Sequence, residues 1–203
     1  MAGFGEEQRL AGTVMASPIA GVITNPRMND NPIVVANAAF CRLTGYCESE
    51  ILGRNCRFLA GDATEPWITQ QIRSAVHGRR SVLVDILNDR KDGSAFRNGV
   101  MVTPLFDDNG ELSHFLGSQV DLGTEPANLL TARRARAATL VGELPHRQRE
   151  VLEGVAQGLL NKQIAHRLGI AEKTVKMHRA LLLDRLGVPT SADAIRIAVE
   201  AGL

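Results

Sequence analysis

The chain has 203 residues, of which 44% are hydrophobic and 22% charged, and its formal net charge is +1. That length suits two small domains or one ordinary domain with an extension, and the apolar content supports packed cores rather than disorder. Cys41, Cys47 and Cys56 make an odd count with no histidine pair beside them, so neither a disulfide framework nor a metal site is expected. No signal segment and no apolar run of about 18 residues is present, which predicts a soluble, cytoplasmic protein with no membrane partner.

In chain order, residues 1–16 read as an N-terminal arm. Residues 21–24 (GVIT) and 32–36 (PIVVA) are β-rich runs separated by a cluster of turn formers, NPRMNDN. Short helices follow in AAFCRLTGY, ESEILG and WITQQIRSAVHG, where Ile68, Ile72 and Val76 keep helical spacing. Three strand-like runs come next, at 81–88, 95–106 and 111–122, punctuated by KDG and DDNG turns. From Ala127 onward every periodic segment is helical, which places a boundary near residues 123–128. Charge changes at the same point. Residues 1–126 hold 11 basic and 15 acidic side chains, residues 127–203 hold 12 and 7, so the second half is either a solvated surface or the footprint of an anionic partner.

Residues 53–61 read GRNCRFLAG. This motif, within the strand-helix-strand order of residues 17–122, resembles the LOV (light, oxygen, voltage) photosensory subclass of PAS domains. The resemblance implies a five-stranded antiparallel α+β fold, an FMN cofactor, and a reversible bond from Cys56 to the flavin after blue-light excitation. Ala60 stands where the family motif commonly ends in glutamine, which removes a polar contact to the cofactor's tail. A flavin's pyrimidine edge presents acceptor, donor and acceptor, which carboxamides match. Asn88, Asn98 and Gln119 fall on the three C-terminal strand runs, Asn98 on the face of Phe96 and Val100 and Gln119 on that of Phe115. By resemblance Asn88 and Asn98 hold the pyrimidine ring and Gln119 lies near the ring nitrogen that gains a proton. Arg57 and Arg73 match the phosphate positions, Thr24 and Asn31 match positions lining the ring and the ribityl chain, Asn55 counts among the cofactor-binding residues, and Val22, Leu59 and Phe115 match apolar ring contacts.

Residues 129–141 predict a linker helix within a linker at 123–143. Residues 144–203 resemble the four-helix DNA-binding domain of the LuxR and NarL families, most clearly in NKQIAHRLGI and EKTVKMH. A helix pair at 161–168 and 172–186, joined through Gly169, is also what a helix-turn-helix requires. Val175, Leu182 and Leu186 form the core stripe of its second helix. Opposite them, Lys176, Met177 and Ala180 are expected near base edges, and Lys162, Lys173, Thr174 and Arg179 near phosphates. Pro145, Leu160 and Ala171 stand where polar helix caps are common, whereas Thr190 with Asp193 offers a box-like start to the last helix.

Alternation leaves Leu83, Leu87, Met101 and Leu116 on the sheet face away from the flavin, an apolar patch that needs a cover. The last helix carries one apolar stripe at Ala194, Ile197 and Ala201 and another at Ile195, Ala198 and Gly202, only one of which can face its own core. The whole predicts a non-enzymatic regulator of transcription, a dark monomer whose spare stripe docks on the sheet. In the light it is expected to be a homodimer on double-stranded DNA, with the transcription machinery as a further partner. A flavin redox or ligand sensor driving the same domain is the alternative.

Overall fold

The computed structural model describes residues 10–12, 14–123 and 128–203. The expected N-terminal arm before residue 10, residue 13, and residues 124–127 of the expected linker lie outside the described residues. Turn chemistry sets up the first hairpin: β1 (Ala20–Thr24) and β2 (Ile33–Ala36) are joined through Asp30 and Asn31, at φ 69° and 47°, conformations that Asp and Asn side chains tolerate. Helix α1 (Ala38–Thr44) starts on Asn37, whose side chain accepts from the Phe40 N–H, and stops at Gly45, φ 78°. A four-residue α2 (Glu48–Ile51), a 3₁₀ turn at Cys56–Leu59 and α3 (Pro66–His77) complete the helical stretch.

Strands β3 (Val82–Asp89), β4 (Ala95–Phe106) and β5 (Leu112–Asp121) join β1 and β2 in one sheet of order β2-β1-β5-β4-β3, antiparallel at every pairing. The period of two divides it. On one face Val82, Val84, Ile86 and Val100 pack with Ala75 of α3. On the other, Ile23, Met101 and Leu116 lie in a single apolar cluster with Val14 and the C-terminal helices.

Those helices are α4 (Asn128–Gly142), α5 (His146–Ala156), α6 (Asn161–Leu168), α7 (Glu172–Leu186) and α8 (Ser191–Glu200). Gly169, at φ 65°, ends α6 and turns the chain into α7. Pro145, Leu160 and Ala171 make no side-chain cap, while Thr190 accepts from the Asp193 N–H at 3.2 Å. The turn after α5 meets the sheet at Gly158, where a Cβ would stand 2.1 Å from the Pro104 carbonyl oxygen. Only glycine permits that approach, at φ 78°. No described helix is long and apolar enough to cross a membrane.

Candidate functional site

Cys56 opens the 3₁₀ turn, and Asn55 fixes that turn in place. The Asn55 side chain accepts from the Arg57 N–H at 3.1 Å and donates to the Asp30 carbonyl at 2.6 Å, tying the cysteine loop to the β1–β2 connection. Cys56 packs against the cluster that holds Val22, Phe40 and Leu59. Burial pushes its thiol up to about 12, so the sulfur is a neutral S–H at physiological pH.

Three carboxamides converge from three strands. Asn98 Nδ2 donates to Asn88 Oδ1 and to Gln119 Oε1, each at 3.0 Å, and all three side chains are buried. Asn98 Oδ1 is buried with no hydrogen-bond partner, and so is Asn31 Oδ1. Buried polar atoms are costly unless answered, and a flavin answers both: its ring N–H suits Asn98 Oδ1, and its ribityl hydroxyls suit Asn31 Oδ1. Thr24 and Phe115 are buried as register partners across β1 and β5. The residues present therefore fit a flavin. Arg57 and Arg73 are exposed, Arg57 paired with Asp30 and Arg73 donating to Gln70 Oε1 at 3.1 Å.

The opposite face of the sheet is covered by α8. Arg196 is 1% exposed. Its Nη1 donates to Ser118 Oγ at 2.9 Å, its Nη2 to the Gly99 carbonyl at 3.4 Å and its Nε to Glu200 Oε1 at 2.8 Å. Arg133 of α4 also reaches Glu200, at 3.4 Å. Burial lowers the Arg196 guanidinium to about 10. Ser17 donates to Asp193 Oδ1 at 2.5 Å, so the segment before β1 joins the same contact.

On α7, Val175, Leu182 and Leu186 are buried, and Lys173, Lys176, Met177 and Ala180 form an exposed stripe. Lys162 at the start of α6 is exposed and Thr174 half-buried.

A PAS domain profile matches residues 20–123, just over half of the chain. The chain belongs to the PAS domain family. Residues 143–198 of this PAS protein match the bacterial regulatory proteins of the luxR family. It is 43% identical over 136 residues to a blue-light-activated histidine kinase of Brucella anthropi, covering 66% of this chain and 28% of that protein. A blue-light-activated histidine kinase of Rhizobium johnstonii is 46% identical over 131 residues, 64% of this chain and 37% of the kinase. The chain thus spans a minor part of these relatives' length, and the kinase activity in their names is a property of those proteins. Among solved structures, the dark state of the blue-light photoreceptor Aureochrome1 LOV is similar at TM-score 0.55 and 37% identity, covering 63% of this chain and 92% of that one. The light-state dimer of the fungal photoreceptor Vivid is similar at TM-score 0.50 and 31% identity, covering 51% and 78%.

Two expectations for this PAS protein need correction. Arg179 does not reach outward to phosphate: it donates to Asn161 Oδ1 at 2.8 Å and Ser191 Oγ at 2.7 Å, because its position on α7 borders the core stripe. Leu87 is not under the docked helices. It lies four residues beyond Leu83, which on a strand rising ~3.3 Å per residue is ~13 Å further on, where Thr64 and Glu65 bond its backbone. Leu83, Met101 and Leu116 do lie in the shared cluster. Ala194, Ile197 and Ala201 also belong to that cluster. Among the described residues, however, the side-chain hydrogen bonds from α8 to the sheet come from Arg196, about 130° round the helix from the centre of that stripe. Sequence reasoning missed Arg196 and Gly158, and it read Asp193 only as part of a helix cap, without its contact to Ser17. The signal for the first was an arginine set between Ile195 and Ile197 in the last helix.

Proposed function

We propose that this PAS protein is a blue-light-regulated, non-enzymatic transcription regulator that binds FMN, acts in the cytoplasm and passes from a dark monomer to a lit homodimer on double-stranded DNA. One observation carries the reading. A single sheet bears the flavin-type amide cluster on one face and the last helix of the luxR-type domain on the other, and Gln119 and Ser118, the residues that serve the two faces, are adjacent in β5.

In this reading Asn88, Asn98 and Gln119 bind the ring edge, Asn31 the ribityl chain, and Arg57 and Arg73 the phosphate. When bound, a flavin would supply blue-light absorption and, in its excited state, a ring carbon–nitrogen double bond across which the Cys56 S–H could add, sulfur to carbon and proton to nitrogen. Cys56 contributes a neutral thiol at a fixed place. Gln119 can present either oxygen or N–H by rotating its last torsion, and its oxygen now takes Asn98 Nδ2, so rotation breaks that bond and loads β5. The load falls on Ser118 and Leu116, which hold α8. A few kcal/mol of differential stability then suffices to move the population from docked to free. Freed α8 becomes the dimer surface, and the exposed stripe of α7 enters paired major grooves.

The test is a comparison of the full chain in darkness and under blue light. Loss and thermal recovery of the flavin absorption band, together with dimer formation and retention of DNA in the light alone, are expected. A chain that holds flavin without reversible bleaching, or whose DNA binding follows chemical reduction instead of light, refutes the proposal. Lys176→Ala is expected to weaken lit-state DNA binding by about 1–3 kcal/mol with preference relaxed at one base position.

A further inference from the structure

Between the sheet and the C-terminal helices lies a cavity of about 500 Å³, within the range of ~300–1,000 Å³ typical of small-molecule sites. Its walls are apolar on both sides: Leu105, Phe106 and Leu116 from the sheet, Val155, Leu159 and Ile195 from the helices. The polar lining includes Arg179 with its two partners, Asn161 and Ser191.

Arg179 has the wrong company for a structural arginine. Both of its hydrogen-bond partners are neutral, and among the described residues no carboxylate forms an ion pair with it. Burial lowers its guanidinium below the usual value with no acidic neighbour offsetting the effect. Two of its five N–H donors are engaged. The acids that also line the cavity are otherwise placed: Glu172 is paired with Lys176 at 3.3 Å, and Asp108 is exposed. Lys162, exposed at the start of α6, adds a second cation to the lining. A partly buried cation without a counterion beside apolar walls is complementary to an anion that carries a hydrocarbon tail.

We propose that this cavity binds an amphipathic monocarboxylate, an acyl chain of medium length whose carboxylate is taken by Arg179 and whose tail lies between the two domains. A ligand that touches both walls binds the docked arrangement and not the opened one, so it opposes release of the C-terminal domain by linkage. Binding itself is independent of the light reading; the effect on the light response rests on it.

The experiment titrates decanoate, below its micelle-forming concentration, into the full chain in darkness by isothermal calorimetry. Saturable one-site binding is expected, at least about tenfold weaker for decanol and for Arg179→Gln, which lack the charged pair. Leu159→Trp, which fills the cavity while keeping Arg179, is expected to abolish binding. Cys56→Ala is expected to bind decanoate unchanged, so a failure of the photochemistry leaves this result standing. In the light, saturating decanoate is expected to lower DNA affinity of the native chain. Absence of saturable binding, equal affinity for decanol, or equal affinity of Arg179→Gln for decanoate overturns the site. Undiminished lit-state DNA binding in saturating decanoate overturns its role in holding the domains.

Discussion

The two faces of the sheet solve the same problem, a buried polar group, by opposite means. On the face of Cys56 the groups are neutral amides from three neighbouring strands, bonded to one another with one oxygen, Asn98 Oδ1, left over. On the face of α8 the group is a charge, Arg196, bonded to a serine hydroxyl, a strand carbonyl and a glutamate. Neutral amides lose little when one partner is exchanged for another, which suits a ligand site. A buried charge loses heavily when its partners are withdrawn, by about 3–5 kcal/mol, which suits a contact that is either made or broken. Ser118 and Gln119, one peptide apart, let a change in the first environment act on the second.

The most drastic way to break the comparison is to silence one face. Cys56→Ala is expected to keep flavin and the docked arrangement but to lose reversible bleaching completely, and its DNA affinity should then be the same in light and dark. A reversible bleach in this variant would remove Cys56 from the chemistry. Next in size is Leu116→Lys, which places an ammonium in the cluster beneath α8. Its burial cost of several kcal/mol should open the dark protein, seen as a larger radius in small-angle scattering and DNA binding without illumination. A closed, DNA-silent dark state with flavin bound would show that α8 is held elsewhere.

Ser118→Ala sharpens the comparison. It removes one acceptor from Arg196 while the neighbouring Gln119 is untouched, at a cost of about 1–3 kcal/mol to docking. The flavin spectrum and bleaching should match the native chain while the dark population of open protein rises measurably. If the spectrum moves and docking does not, the two faces are not separable in this way. The smallest effect is one of pH. Because burial raises the Cys56 thiol to about 12, its neutral form persists well above the range in which an exposed cysteine ionises. The extent of bleaching should therefore stay flat as pH rises toward 9, measured by absorbance under constant illumination, where a thiolate-dependent reaction would climb.

Local rules make much of this protein legible in its sequence. GRNCRFLAG, the alternation that puts Asn98 with Val100 and Gln119 with Gly117, the turn formers between strands, and the helix pair around Gly169 all act over a few residues, and the sequence carries them whole. Family resemblance supplied the cofactor that such a pattern serves. Tertiary structure decided what covers each face. Alternation says that Leu83, Leu87, Met101 and Leu116 share a side of the sheet, but how far a docked helix extends along β3 depends on the helix, and Leu87 falls beyond it. Arg179 falls at helical spacing between Val175 and Leu182 on the core side of its helix, so periodicity alone turns it inward, but only the packing of α6, α7 and α8 supplies Asn161 and Ser191 as its partners. Arg196 meets Ser118 across 78 residues of chain, and its charge is tolerable there because hydroxyl, carbonyl and carboxylate arrive together, a coincidence of three distant segments that no local pattern encodes.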